Sequence, residues 1–142
     1  MQKLDKYVLV KRAIDTIYPE SDFERIICKV KARTSEELTP IIDDYISKNN
    51  FDIAISPNQK LGLILQNAIL KDNFIVPQKT KHICLVSAPY FQTIYPSITS
   101  IDIQLTEMGA YAAELLLSII NGSKIEEKDF ECNLIHGLST KI

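Results

Sequence analysis

The chain has no tryptophan, only four glycines, three cysteines and two histidines, and no surplus of positive charge. Each shortage removes a class of function. Gly62, Gly109, Gly122 and Gly137 stand singly, so no glycine-rich phosphate loop is written here. Cys28, Cys84 and Cys132 are an odd, widely spaced set, each within a strand-like run. Neither a disulfide framework nor a Cys-x-x-Cys metal site follows, and the expectation is three buried, reduced thiols. His82 and His136 have no carboxylate or cysteine at ligand spacing, which assigns them structural or surface roles and predicts no metal. No nucleophile elbow or clustered acid–base pair is present. The expectation is therefore a non-enzymatic protein without a cofactor.

Sixteen basic and eighteen acidic residues leave a formal charge of −2. That is no footprint for nucleic acid, so this stretch should not bind DNA directly. No apolar run approaches the ~18 residues of a membrane helix. Met1 to Asp5 meets Lys6 and Asp15 too soon for the apolar centre of an export signal. The expectation is a cytoplasmic chain with no membrane partner. A length of 142 residues with 46% hydrophobic content suits one domain, residues 1–142, with a real core.

The chain alternates strand and helix patterns. Leu4, Tyr7, Val8, Lys11, Ile14 and Ile17 recur at helical spacing before Pro19, predicting a helix over 3–18, although Tyr7 to Val10 also reads as a strand. Residues 25–31 are rich in β-branched side chains and read as a strand. Thr34-Ser35-Glu36-Glu37 is a capping box. It opens a helix to about Lys48 with Leu38, Ile41, Ile42, Tyr45 and Ile46 as its apolar face; Pro40 also permits a start at Thr39. Strands follow at 51–56, 82–87, 98–103 and 130–136, and helices at 59–72 and 106–121, the last with Gly122 as its C′ residue. The rhythm implies a three-layer α/β fold, a mostly parallel sheet flanked by helices.

The most informative stretch runs from Asp52 to Pro77, a buried strand, the polar turn Pro57-Asn58-Gln59, and an amphipathic helix ending at Asn73-Phe74-Ile75-Val76-Pro77. An open α/β sheet places ligand loops at such a turn. The stretch resembles, without a gap, the strand, Ala-Asn-Asp, helix, Gly-Leu-x-Val-Pro pattern in the effector-binding core of LacI/GalR bacterial transcription regulators. That core shares its fold with periplasmic sugar-binding proteins. Tyr95-Pro96-Ser97-Ile98-Thr99-Ser100-Ile101 is similar to the family's Pro-Pro-Leu-Thr-Thr-Val segment. Met108-Gly109, Ala112, Leu115-Leu116 and Asn121-Gly122 are similar to the helix that follows, and Leu134 to Thr140 to the terminal Leu-Val-Val-Arg-Glu-Ser-Thr. The likeness covers the chain from about residue 24; residues 6–18 align with the family's Arg-x-x-Gly-Phe helix.

The resemblance implies the second lobe of a two-lobe core, with an incomplete first lobe and no helix-turn-helix. It implies a small polar effector, sugar-like or purine-like, a homodimer, and DNA contact only through an upstream region. Asn58 stands where the family's asparagine bonds the effector; as a plain N-cap it explains itself equally well. Gln59 stands at the family's aspartate and Lys6 at its arginine. Val86-Ser87-Ala88-Pro89-Tyr90 replaces Val-Gly-Phe-Asp-Asp and carries no carboxylate. Ser87 and Tyr90 remain as hydroxyl ligands, unless Tyr90 only covers the sheet end. The stripe Met108, Leu115, Leu116 and Ile119 reads as core. In the family this helix packs on the first lobe, so here it must fold back on the sheet or pair with another chain. Two alternatives stand beside this reading, a fragment of a transporter's sugar-binding protein and a remnant without a working site.

Overall fold

A computed structural model describes residues 16, 17, 19, 34–71, 75–124 and 127–141. The expected helix over 3–18, the strand over 25–31 and Lys6 lie outside the described residues, apart from Thr16 and Ile17, which are helical. The first long element, α1, spans Ser35–Lys48 and is capped as its sequence predicts. The Thr34 hydroxyl accepts from the Glu37 amide at 3.2 Å, and the Glu37 carboxylate accepts from the Thr34 amide at 3.3 Å. Pro40 sits inside this helix, not at its start. Its missing N–H costs one exposed backbone bond, which the tight cap and the buried stripe outweigh. That stripe is Leu38, Ile42 and Ile46; Ile41 faces solvent, 43% exposed.

β1 (Ile53–Ser56) and β2 (Lys81–Cys84) pair in parallel, with Ala54 opposite His82 and Ser56 opposite Cys84. The helix α2 (Gln59–Lys71) connects them. β3 (Thr99–Asp102) adds in parallel to β2, and β4 (Asn133–Ile135) adds antiparallel to β3, so the order is β1-β2-β3-β4. A short 3-10 turn over Pro89–Gln92 replaces a helix between β2 and β3. Strand alternation then sorts the side chains. Ala54, Ser56, His82 and Cys84 are buried on one face, while Ile53 and Ile55 point away and are about half exposed.

Two apolar clusters fill the buried side. Ile42 and Ile46 from α1 meet Ala54 of β1 and Ala68 and Ile69 of α2, and Cys84, Ala88, Phe91 and Ile98 form the second. Cys84 is thus buried as expected, but Cys132 is exposed. The reason is local: strand pairing begins only at Asn133, so Cys132 lies before the ladder.

α3 (Leu105–Ile120) is closed by Asn121 and by Gly122, which has φ +67°. The Gly122 amide bonds the Ile119 carbonyl and the Ser123 amide the Ser118 carbonyl, the pairing of a Schellman cap. The stripe read as core does not enter a core here. No residue of α3 is buried, and Met108, Leu116 and Ile119 are 41%, 58% and 52% exposed. Its visible neighbour is the 127–130 segment, where Phe130 meets the Tyr111 ring edge-on at 5.8 Å and the Lys128 ammonium lies over both rings. Among the described residues no helix is long and apolar enough to cross a membrane.

The chain end is stitched to the start of β3. The Thr99 hydroxyl accepts from the Gly137 amide at 2.9 Å, the Ser139 amide donates to Ser97 O at 2.8 Å, and Leu138 N to Ser97 Oγ at 2.9 Å. A Cβ at Gly137 would stand 2.5 Å from Ser97 O and from Ile98 C, both backbone atoms with no freedom to yield. Gly137→Ala should therefore destabilise by about 3 kcal/mol, at the top of the usual overpacking range. Urea unfolding of the variant checks this; a midpoint within error of wild type would refute the packing described.

Candidate functional site

Parallel strands deliver their following loops to one edge of a sheet, where ligands bind in open α/β folds. Here Ser56 and Cys84 are paired last residues of β1 and β2. The turn Pro57-Asn58-Gln59 and the loop Leu85–Tyr90 therefore stand side by side. The structure brings four of the five sequence candidates to this edge, Asn58, Gln59, Ser87 and Tyr90; Lys6 is outside the described residues.

Each of the four has a distinct local role. Asn58 is exposed, and its Oδ1 accepts from the Leu61 amide at 2.9 Å, which makes it the N-cap of α2. Its amide nitrogen is the polar group left facing outward by that cap. Gln59 reaches across to the second loop, its Nε2 donating to the Ser87 carbonyl. The Ser87 hydroxyl accepts from Ser100 Oγ at 3.1 Å, and the Ser87 amide donates to Ile101 O at 2.7 Å. Tyr90 is 42% exposed with its ring edge-on to the buried Phe91 at 5.1 Å. Gln59 and Ser87 thus tie the two loops together, whereas Asn58 and Tyr90 are exposed. Asp102, the last residue of β3, brings a carboxylate to the same edge and holds the Gln104 amide at 2.9 Å. The sequence reading saw it only as a strand residue.

Beneath the turn lies a buried polar chain that sequence reasoning missed. Ser56 Oγ is 3.0 Å from His82 Nε2, His82 Nδ1 is 2.7 Å from Gln66 Oε1, and Gln66 Nε2 donates to Pro96 O at 3.1 Å. The Pro96 carbonyl can only accept, so Gln66 turns its amide nitrogen there and its oxygen to the imidazole. Nδ1 therefore carries the ring proton, and Nε2 accepts from the Ser56 hydroxyl. The order of atoms imitates a Ser-His-acid triad, but Ser56, His82 and Gln66 are each at most 1% exposed, and the third member is an amide. Such a site has no route for a substrate. A signal was present in the sequence: all three polar residues occupy core-facing positions of their elements.

Two hollows lie elsewhere, one of about 390 Å³ between α1 and α2 lined by Thr39, Ile64, Asn67, Leu70 and Lys71. The other, about 380 Å³, is lined by Asn50, Phe51, Asp52 and Lys79 at the opposite end of the strands. Neither touches the candidate edge. Among the described residues no group of three or more His, Cys, Asp or Glu is placed to hold a metal ion.

Residues 54–140 match the periplasmic binding protein-like domain family, and the chain belongs to that family. No curated relative matches it by sequence. Among solved structures, a LacI-family transcriptional regulator from Sanguibacter keddieii superposes with TM-score 0.79 at 16% identity over 92% of this chain and 51% of its own. The Escherichia coli transcriptional repressor AscG gives 0.77 at 19% identity over 91% of this chain and 47% of its own. A LacI-family regulator from Lactobacillus casei with bound sucrose gives 0.64 at 13% identity, over 75% and 41%. The fold is that of the effector-binding core of such regulators, and the chain spans about half the length of the structures it matches.

Burial removes the charged form of His82 from its natural solvent, lowering its pKa from 6.5 to about 4. The folded state therefore keeps the ring neutral while the unfolded chain takes up a proton between those two values. This contribution to stability is complete above pH 6.5 and is lost as pH falls towards 4. Between pH 7.5 and 5 wild type should lose about 2 kcal/mol from this group. A folded His82→Asn variant should lack that component; equal pH slopes in urea unfolding would refute it.

Proposed function

We infer that residues 1–142 are the effector-binding and dimerisation region of a LacI-type transcriptional regulator. It is non-enzymatic and takes a small polar ligand, sugar-like or purine-like, at the turn headed by Asn58. One observation supports the reading: the turn that carries Asn58 and Gln59 follows β1, the loop that carries Ser87 and Tyr90 follows the parallel neighbour β2, and the Gln59–Ser87 bond ties the two. Asn58 and Tyr90 offer an amide, a hydroxyl and an aromatic ring there, groups suited to sugar hydroxyls or a purine edge. The sucrose bound to the L. casei regulator supports the sugar class. DNA contact belongs to a region upstream of this stretch, which has no surplus of positive charge. The uncovered apolar side of α3 supports pairing with a second chain. A sugar-binding protein of a transporter is the second reading, favoured by the family match itself.

Asn58→Asp separates the two roles of this residue, because aspartate keeps the helix cap and loses the amide donors. Wild type should show a thermal shift with at least one member of a panel of sugars and purines, and Asn58→Asp should lose most of it while unfolding within about 1 kcal/mol of wild type. Equal shifts in both proteins, or none in either, would sink the ligand reading.

A further inference from the structure

We propose that His82 is the positioning residue of the Asn58 turn, holding it in fixed relation to the two segments, Pro96–Thr99 and Gly137–Thr140, that lead into and out of the β3–α3–β4 part of the chain. The proposal rests on the ligand reading for its purpose and on separate geometry for its substance.

The imidazole bonds the residue that leads into the turn on one side and, through Gln66, the first segment on the other, while the second segment bonds the main-chain carbonyl of the same residue. Its Nε2 holds Ser56, the residue before Pro57-Asn58-Gln59. Its Nδ1 holds Gln66, which grips the Pro96 carbonyl. The His82 carbonyl accepts from Ser139 Oγ at 2.6 Å, and Ser139 Oγ accepts in turn from the Thr99 amide at 2.8 Å. The next residue but one, Cys84, adds a contact from its thiol to Asn58 O at 3.4 Å. Gly62 leaves the room: a Cβ there would stand 3.0 Å from Cys84 Sγ and 3.2 Å from Ser56 Oγ.

A buried chain of this sort has little slack. Moving the turn outward stretches the Ser56 bond, and a stretched bond leaves a buried imidazole nitrogen without a partner. The turn and the segments consequently shift together or not at all. Occupancy at Asn58 is thereby coupled to β3 and β4, the strands on either side of α3 in the sequence. His82 neither faces solvent nor touches a ligand at the edge, so its part is to position.

Amide hydrogen exchange at neutral pH tests this without a ligand. The Leu61 amide depends on Asn58 Oδ1 and the Gly62 amide on Asn58 O. Ser56→Ala should speed exchange at these two amides about tenfold beyond a control, Ile42→Val, that weakens the core on α1 by a similar amount. Ser139→Ala, at the far end of the chain, should raise the same two rates. Rates at Leu61 and Gly62 that merely follow global stability, as in the control, overturn the proposal. Nitrogen NMR of the wild-type ring is a second test that needs no variant: a proton on Nδ1 is required, and one on Nε2 overturns it. If no panel compound binds wild type, the ligand reading fails while the exchange result still decides the positioning role.

Discussion

An imidazole sealed from water must find a partner for each nitrogen inside the protein, and this requirement organises the middle of the fold. His82 is fully buried and kept neutral, with Ser56 on one nitrogen and Gln66 on the other. Both partners come from different elements, β1 and α2, so the bonds set the height of the helix over the sheet as well as the pairing of the strands. Apolar contacts are indifferent to small sliding motions; a hydrogen-bonded chain is not. The clusters on either side supply bulk stabilisation, and the polar chain supplies the register.

Much of the fold was legible from local patterns. The Thr34–Glu37 box, the short apolar strand before Pro57 and the glycine after Asn121 each act through neighbours within four residues, so their consequences can be read without knowing the tertiary structure. The turn at Asn58 was legible for the same reason. What lay beyond reach depended on distant contacts. Ser56, Gln66 and His82 are 10 to 26 residues apart, and only the sheet register makes them one group. The antiparallel direction of β4 depends on its pairing with β3 across α3. Cys132 was misread because the strand expected over 130–136 begins only at Asn133.

The stripe on α3 is the other instructive case. Periodicity reports that a helix has an apolar side, and the sequence carries that side clearly in Met108, Ala112, Leu115, Leu116 and Ile119. Periodicity does not report what lies opposite. Within the described residues this helix keeps its amphipathic pattern without a buried residue.

The two loops at the candidate edge are open to water on their outer side, with Asn58 and Tyr90 both exposed. A molecule resting there would give up its hydration on one face only, with no cover from the described residues on the other. Such an arrangement favours fast release, with residence times at the short end for small ligands. Slow release would require something to come down over Asn58 and Tyr90 from above. On the ligand reading proposed above, this edge by itself would sample its ligand, and retention would be supplied by a second surface.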